Sequence, residues 1–114
     1  MATFSHDVIV VTTEHVPGYR VRRVLGLVSG SSARAHGLGR DLIAGLRNLV
    51  GGQVKEYKEL AARSRDEALQ EMIERAREMG ANAIIGARMT TTEIAQGVAE
   101  VVWYGTAVIV EPEE

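Results

Sequence analysis

From Val98 to Val110 the chain is apolar at odd and even positions alike. Val98, Val102, Tyr104, Val108 and Val110 fall on one face of an extended strand, and Ala99, Val101, Trp103, Ala107 and Ile109 on the other, with Glu100 and Thr106 the polar interruptions. A strand of that kind needs cover on both faces, and a chain of 114 residues has too few helices to provide it twice. The second cover is therefore expected to be another copy of the chain. Before it, Ala83, Ile85, Ala87 and Met89 alternate with Ile84, Gly86 and Arg88, and Thr90-Thr91-Thr92 leads to a turn near Gln96-Gly97, so the two segments read as a hairpin.

Other periodicities complete the outline. Val8 to Thr13 is a short β-branched strand closed by the turn Val16-Pro17-Gly18. Tyr19 to Ser29 reads as a longer strand with Val21, Arg23, Leu25 and Leu27 on one face and Arg22, Val24, Gly26 and Val28 on the other. After the turn Ser29-Gly30-Ser31-Ser32, Leu38, Leu42, Ile43, Leu46, Leu49 and Val50 recur at helical spacing up to Gly51-Gly52. Lys55 to Met79 is a stronger helix, with Tyr57, Leu60, Ala61, Ser64, Ala68, Leu69, Met72, Ile73, Ala76 and Met79 on its inner stripe. Its outer face is charged, and Glu59 with Arg63 and Glu71 with Arg75 are i,i+4 pairs in the favoured order. Gly80 stands where a left-handed residue would stop it. The outcome is an α+β class, antiparallel strands packed on two helices, in one domain spanning residues 1–114.

Composition narrows the functions open to such a domain. A formal charge of −2 with both signs mixed along the chain gives no basic stripe for nucleic acid or an anionic membrane. The absence of Cys removes disulfides and thiolate metal sites. His6 and Asp7 stand where a signal peptide would be apolar, and no apolar run is long enough to span a bilayer, so a cytoplasmic location is expected.

The candidate chemistry is sparse. Glu14 beside His15 offers a carboxylate and an imidazole to a divalent metal ion, although His6, His15 and His36 lie in separate segments and a closed site wants three or four ligands. Copies of one residue converging on a symmetry axis would supply the rest. The glycines and serines from Gly26 to Ser32, with Gly37-Leu38-Gly39, suggest a phosphate cradle, but they lack both the Gly-Lys-Ser/Thr sequence and the third dinucleotide glycine. Arg88, Glu93 and Glu100 are the candidates for catalysis, which needs a positioned nucleophile or an acid–base pair. Arg88 and Glu100 are better read as an ion pair within the sheet or across a subunit joint, and no enzymatic activity is expected.

Several segments together resemble the YbjQ-like family, small bacterial and archaeal proteins of unknown function that carry a heavy-metal-binding label. They are Thr12-Thr13 with Pro17-Gly18-Tyr19, Gly26-Leu27-Val28-Ser29-Gly30, Leu46-Arg47-Asn48-Leu49-Val50-Gly51-Gly52, Tyr57, Arg65 with Ala68, Gly80-Ala81-Asn82-Ala83 and Tyr104-Gly105-Thr106-Ala107. The resemblance implies a dodecin-like subunit assembled as a ring, a homopentamer, in which extra strands join neighbours. It supplies no catalytic residues. Gln53 and Lys58 depart from the acidic and small hydroxyl residues that the pattern has there. Trp103 could stack a flat ligand at a subunit joint, as aromatics do in dodecin-like flavin sites, or sit in the core. The expected function is thus a homo-oligomeric module that binds a metal ion or small ligand at an interface or axial pore, or a purely structural or protein-interaction ring.

Overall fold

The computed structural model describes residues 7–32, 53–95 and 98–113. Four strands and one helix are formed there: β1 (Ile9–Val10), β2 (Tyr19–Ser31), α1 (Gln53–Glu78), β3 (Ala83–Ala95) and β4 (Val98–Pro112). The helix expected over Leu38 to Val50 lies outside the described residues.

The sheet order is β1-β3-β4-β2. The pairs β3–β4 and β4–β2 are antiparallel, but β1 runs parallel to β3, with Ile9 opposite Ala83 and Val10 opposite Ile84. The all-antiparallel expectation is corrected here: the sheet is mixed. A parallel partner needs a long crossover, and that partner is decided by a contact 74 positions away in sequence (83 − 9), which local pattern does not encode. Past Val10 the segment still follows β3, since Val11 N donates to Ile84 O and Gly86 N to Thr13 O.

The turn into β2 forms as the sequence requires: Tyr19 N donates to Val16 O at 3.0 Å, with Pro17 at the second position and Gly18 at φ 84 in the third. Helix α1 ends in a Schellman motif. Gly80, at φ 91, sits at C′, its N–H bonded to Arg77 O while that of Ala81 reaches Ala76 O.

α1 covers one face of the sheet. Met72, Ile73 and Ala76 are fully buried against Val28, Ile84, Ala87 and Ala107, with Leu25, Leu69 and Trp103 at the margin, and Ala68 is fully buried beside Gly30. Met79, expected on this stripe, is exposed beyond the sheet. The approach is close because of Gly30: a Cβ there would stand 2.3 Å from Met72 N and 2.4 Å from Ala68 O, so helix backbone lies directly on strand backbone. Polar side chains fix the same junction. Glu71 accepts from Ser31 N–H, Arg75 donates to Ser29 O, and the two side chains are paired with each other at 3.1 Å.

Strict strand alternation fails in both β2 and β3, and the failures redistribute side chains between the faces of the sheet. In β3 the register shifts between Ile85 and Arg88, where Gly86 has φ 62. In β2 it shifts between Val21 and Arg23 and again between Val24 and Gly26, where Gly26 has φ 130. These are β-bulges, each adding a residue and reversing the side on which later side chains emerge. Strict alternation put Ile84 and Ala87 on opposite faces and Leu25 and Val28 likewise; the bulges place both pairs together under α1.

Candidate functional site

The other face of the sheet is only partly covered. At the β1 end, Val16, Ala83, Val108 and Val110 form a second buried cluster with Ile9, Val11, Tyr19 and Ile85 around it. Asn82 closes its border, its side-chain amide donating to Val110 O at 2.9 Å and accepting from Val110 N at 2.8 Å, so that one side chain continues the hydrogen-bonding pattern of a strand. Arg88 holds the overlying segment by donating to Thr12 O at 2.8 Å.

Beyond that cluster the face is open. The two bulges of β2 bring every third residue to it, so Val21, Val24 and Leu27 stand opposite Val110, Val108 and Thr106. Val24 is 62% and Leu27 77% exposed, and Tyr104 and Val21 are exposed beside them. Such a row of large apolar side chains on one sheet face marks an interaction surface. Sequence reasoning missed this grouping because Val24 and Leu27 have opposite parity; two glycines inside otherwise regular strands were the available signal.

Next to this face the β3–β4 hairpin extends as an arm. The last β2–β4 pair is Ser31 with Val102, whereas β3 and β4 continue through Thr91–Val101, Thr92–Glu100, Glu93–Ala99 and Ala95–Val98. The dimensions are 56 × 26 × 19 Å and the radius of gyration is 16.5 Å, against about 13 Å for a compact domain of this length.

The expected chemical sites fare differently. Glu14 and His15 lie on the exposed bend after β1, where His15 O accepts from Thr13 Oγ1 at 2.6 Å. His6 and His36 fall outside the described residues. No group of three His, Asp or Glu side chains that could hold a metal ion forms among the described residues. One copy thus offers two donors where a metal needs three or four, and the pair does not make a site alone. The glycine-serine turn is not free for an anion in its described part, since the Glu71 carboxylate already takes Ser31 N–H at 3.2 Å and would repel one.

Arg88 and Glu100 do not pair within the sheet. Arg88 is opposite Tyr104 and Glu100 opposite Thr92, which separates them by four strand positions, about 13 Å. Glu93 belongs to β3, opposite Ala99. Trp103 packs at the margin of the core beneath α1, partly buried, and its Nε1–H donates to Arg65 O at 3.1 Å, which satisfies its polar edge. Arg77 has its guanidinium pKa raised above the usual value, first by the hydrogen bond to Asp7 and then by that to Glu74; this cluster staples the helix end to the chain before β1. No helix among the described residues is long and apolar enough to cross a membrane.

Residues 8–111 match the model of the YbjQ family, whose description reads "Putative heavy-metal-binding". The chain belongs to that family. A UPF0145 protein of Thermus thermophilus is 51% identical over 93% of each chain, and one of Pyrococcus furiosus is 47% identical over 100% of both. These relatives' names state no activity. A crystal structure of a Pediococcus pentosaceus protein of unknown function from the DUF74 family is more distant, at 18% identity and a TM-score of 0.46 over 93% of this chain and 98% of that one.

Proposed function

We propose that the chain is a cytoplasmic subunit of a homo-oligomeric ring, a pentamer, that holds a divalent metal ion or small ligand at a subunit interface or on the ring axis and carries out no turnover. One observation carries this reading: the sheet face opposite α1 keeps Val24, Leu27 and Tyr104 in water although β4 is apolar on both sides. Burying that face requires a partner, and a copy of the same chain is always at hand. The family's heavy-metal description supports the ligand class. Glu14 and His15 of one copy supply two donors, and symmetry would bring their counterparts to complete the shell.

A second reading, a structural or protein-interaction ring without a ligand, is favoured by the lack of a convergent donor triad among the described residues. Native mass spectrometry of untagged protein purified without chelator separates the two. A ring with a stoichiometric ion that His15→Ala removes supports the first. A ring with no added mass supports the second, and a monomer rejects both.

A further inference from the structure

We propose that residues 11–16 form a strap that lifts off the sheet as a unit, with Arg88 as its latch, and that lifting it bares the covered end of the open face. The inference concerns a single chain and stands whether or not copies associate.

The strap is tied to the sheet at one place. Three successive carbonyls meet donors from three successive residues of β3: Val11 O accepts from Ala87 N–H at 3.0 Å, Thr12 O from the Arg88 guanidinium at 2.8 Å, and Thr13 O from Gly86 N–H at 2.8 Å. A regular strand turns alternate residues to one edge, so the adjacent N–H groups of Gly86 and Ala87 reach the strap together because of the bulge, where Gly86 has φ 62. Arg88 is set for its part. Its Nη1 also donates to Ala87 O at 3.0 Å, which fixes the guanidinium beside the bulge.

The side chains of the strap add little hold. Thr12, Thr13, Glu14 and His15 are exposed, and Val11 and Val16 are its members of the second apolar cluster. The bond from Thr13 Oγ1 to His15 O lies within the strap, so it stiffens the segment without tying it down. At the near end Val11 N–H donates to Ile84 O in continuation of β1, and at the far end Gly18, with φ 84 and open space where a Cβ would stand, allows the chain to turn. A segment with few buried apolar contacts and exposed hydrogen bonds opens well before the whole fold does.

What lies beneath gives the movement a consequence. Val108 is fully buried there, opposite Ala83 on β3 and opposite Val24 on β2, and Val24 is already exposed. With the strap lifted, Val24, Val108 and Ala83 become one apolar band across three strands, and the interaction surface widens. Arg88 controls that step from outside, since it is exposed and belongs to neither apolar cluster.

The chain has no Cys, so a single introduced thiol reports on one place. The test labels Val108→Cys, beneath the strap, and Ala76→Cys, fully buried under α1, with a soluble aromatic disulfide, each with and without Arg88→Ala. Val108→Cys should label at least about tenfold faster than Ala76→Cys, because lifting the strap needs less than unfolding the sheet. Adding Arg88→Ala should quicken the labelling of Val108→Cys about tenfold, through loss of a hydrogen bond from a charged donor, and leave Ala76→Cys as it was. Equal labelling at the two positions overturns the strap; an Arg88→Ala change that quickens both alike, or neither, overturns the latch. Hydrogen exchange on the wild-type chain needs no variant and decides the matter if a thiol variant does not fold. The Gly86 and Ala87 amides should exchange together and ahead of those joining β2 to β4, and exchange of all of them at the rate of global unfolding overturns the inference.

Discussion

The face of the sheet under α1 and the face turned away from it are built from the same strands, yet they are finished differently. Under the helix, Gly30 lets backbone approach backbone, and Ala68, Met72, Ile73 and Ala76 leave no solvent between helix and sheet. On the far side, the segment from Val11 to Tyr19 reaches only as far as Val108 and Val110, and Val24 and Leu27 remain wet. The first face is matched to a partner of fixed shape within the chain. The second has the composition of a core without the cover. Substitutions on the first should therefore act on folding, and those on the second on association.

The comparison breaks most sharply at Met72, which is fully buried. Met72→Ala should cost about 2–5 kcal/mol of stability in urea unfolding, through lost transfer energy and the cavity left beneath α1. An unchanged midpoint would mean that the helix is not the cover it is taken to be. At Gly30 the opposite error, added volume, is expected to cost about 1–3 kcal/mol for Gly30→Ala, because the obstruction is helix backbone at 2.3 Å and cannot rotate away. Hydrogen exchange should locate the loss in α1 and the end of β2. The smallest effect on folding belongs to the open face: Leu27→Ser should shift monomer stability by less than about 0.5 kcal/mol, while the oligomer mass falls. A large loss of monomer stability there would show that Leu27 is covered within its own chain.

Much of this architecture is legible in the sequence because its signals are local. The helix expected over Lys55 to Met79 spans Gln53–Glu78, and Gly80 ends it as its position requires. The antiparallel pairing of β3 with β4 and the two-sided apolarity of β4 likewise follow from residues close in the chain, while the turn expected near Gln96-Gly97 lies outside the described residues. What escapes is what depends on a single dihedral angle or a distant contact. Gly26 and Gly86 read as small residues, but their positive φ values reverse the faces of everything after them, and so Val24 joins Leu27 while Ile84 joins Ala87. Glu71 and Arg75 read as an ordinary helix pair, and their grip on the β2 backbone emerges only when strand and helix meet. Glu14 and His15 are legible as donors, but two ligands on an exposed bend define no site until their number in an assembly is known.

The parallel pairing of Ile9 with Ala83 has a kinetic meaning as well. It closes a loop of more than half the chain with a strand of two residues, whereas the β3–β4 pairing begins a few residues from its own turn. Closing that long loop is entropically costly and gains few bonds, so the hairpin is free to form early and the β1 segment docks late. The segment that seals the border of the open face is thus the one whose amides should exchange first in the finished molecule.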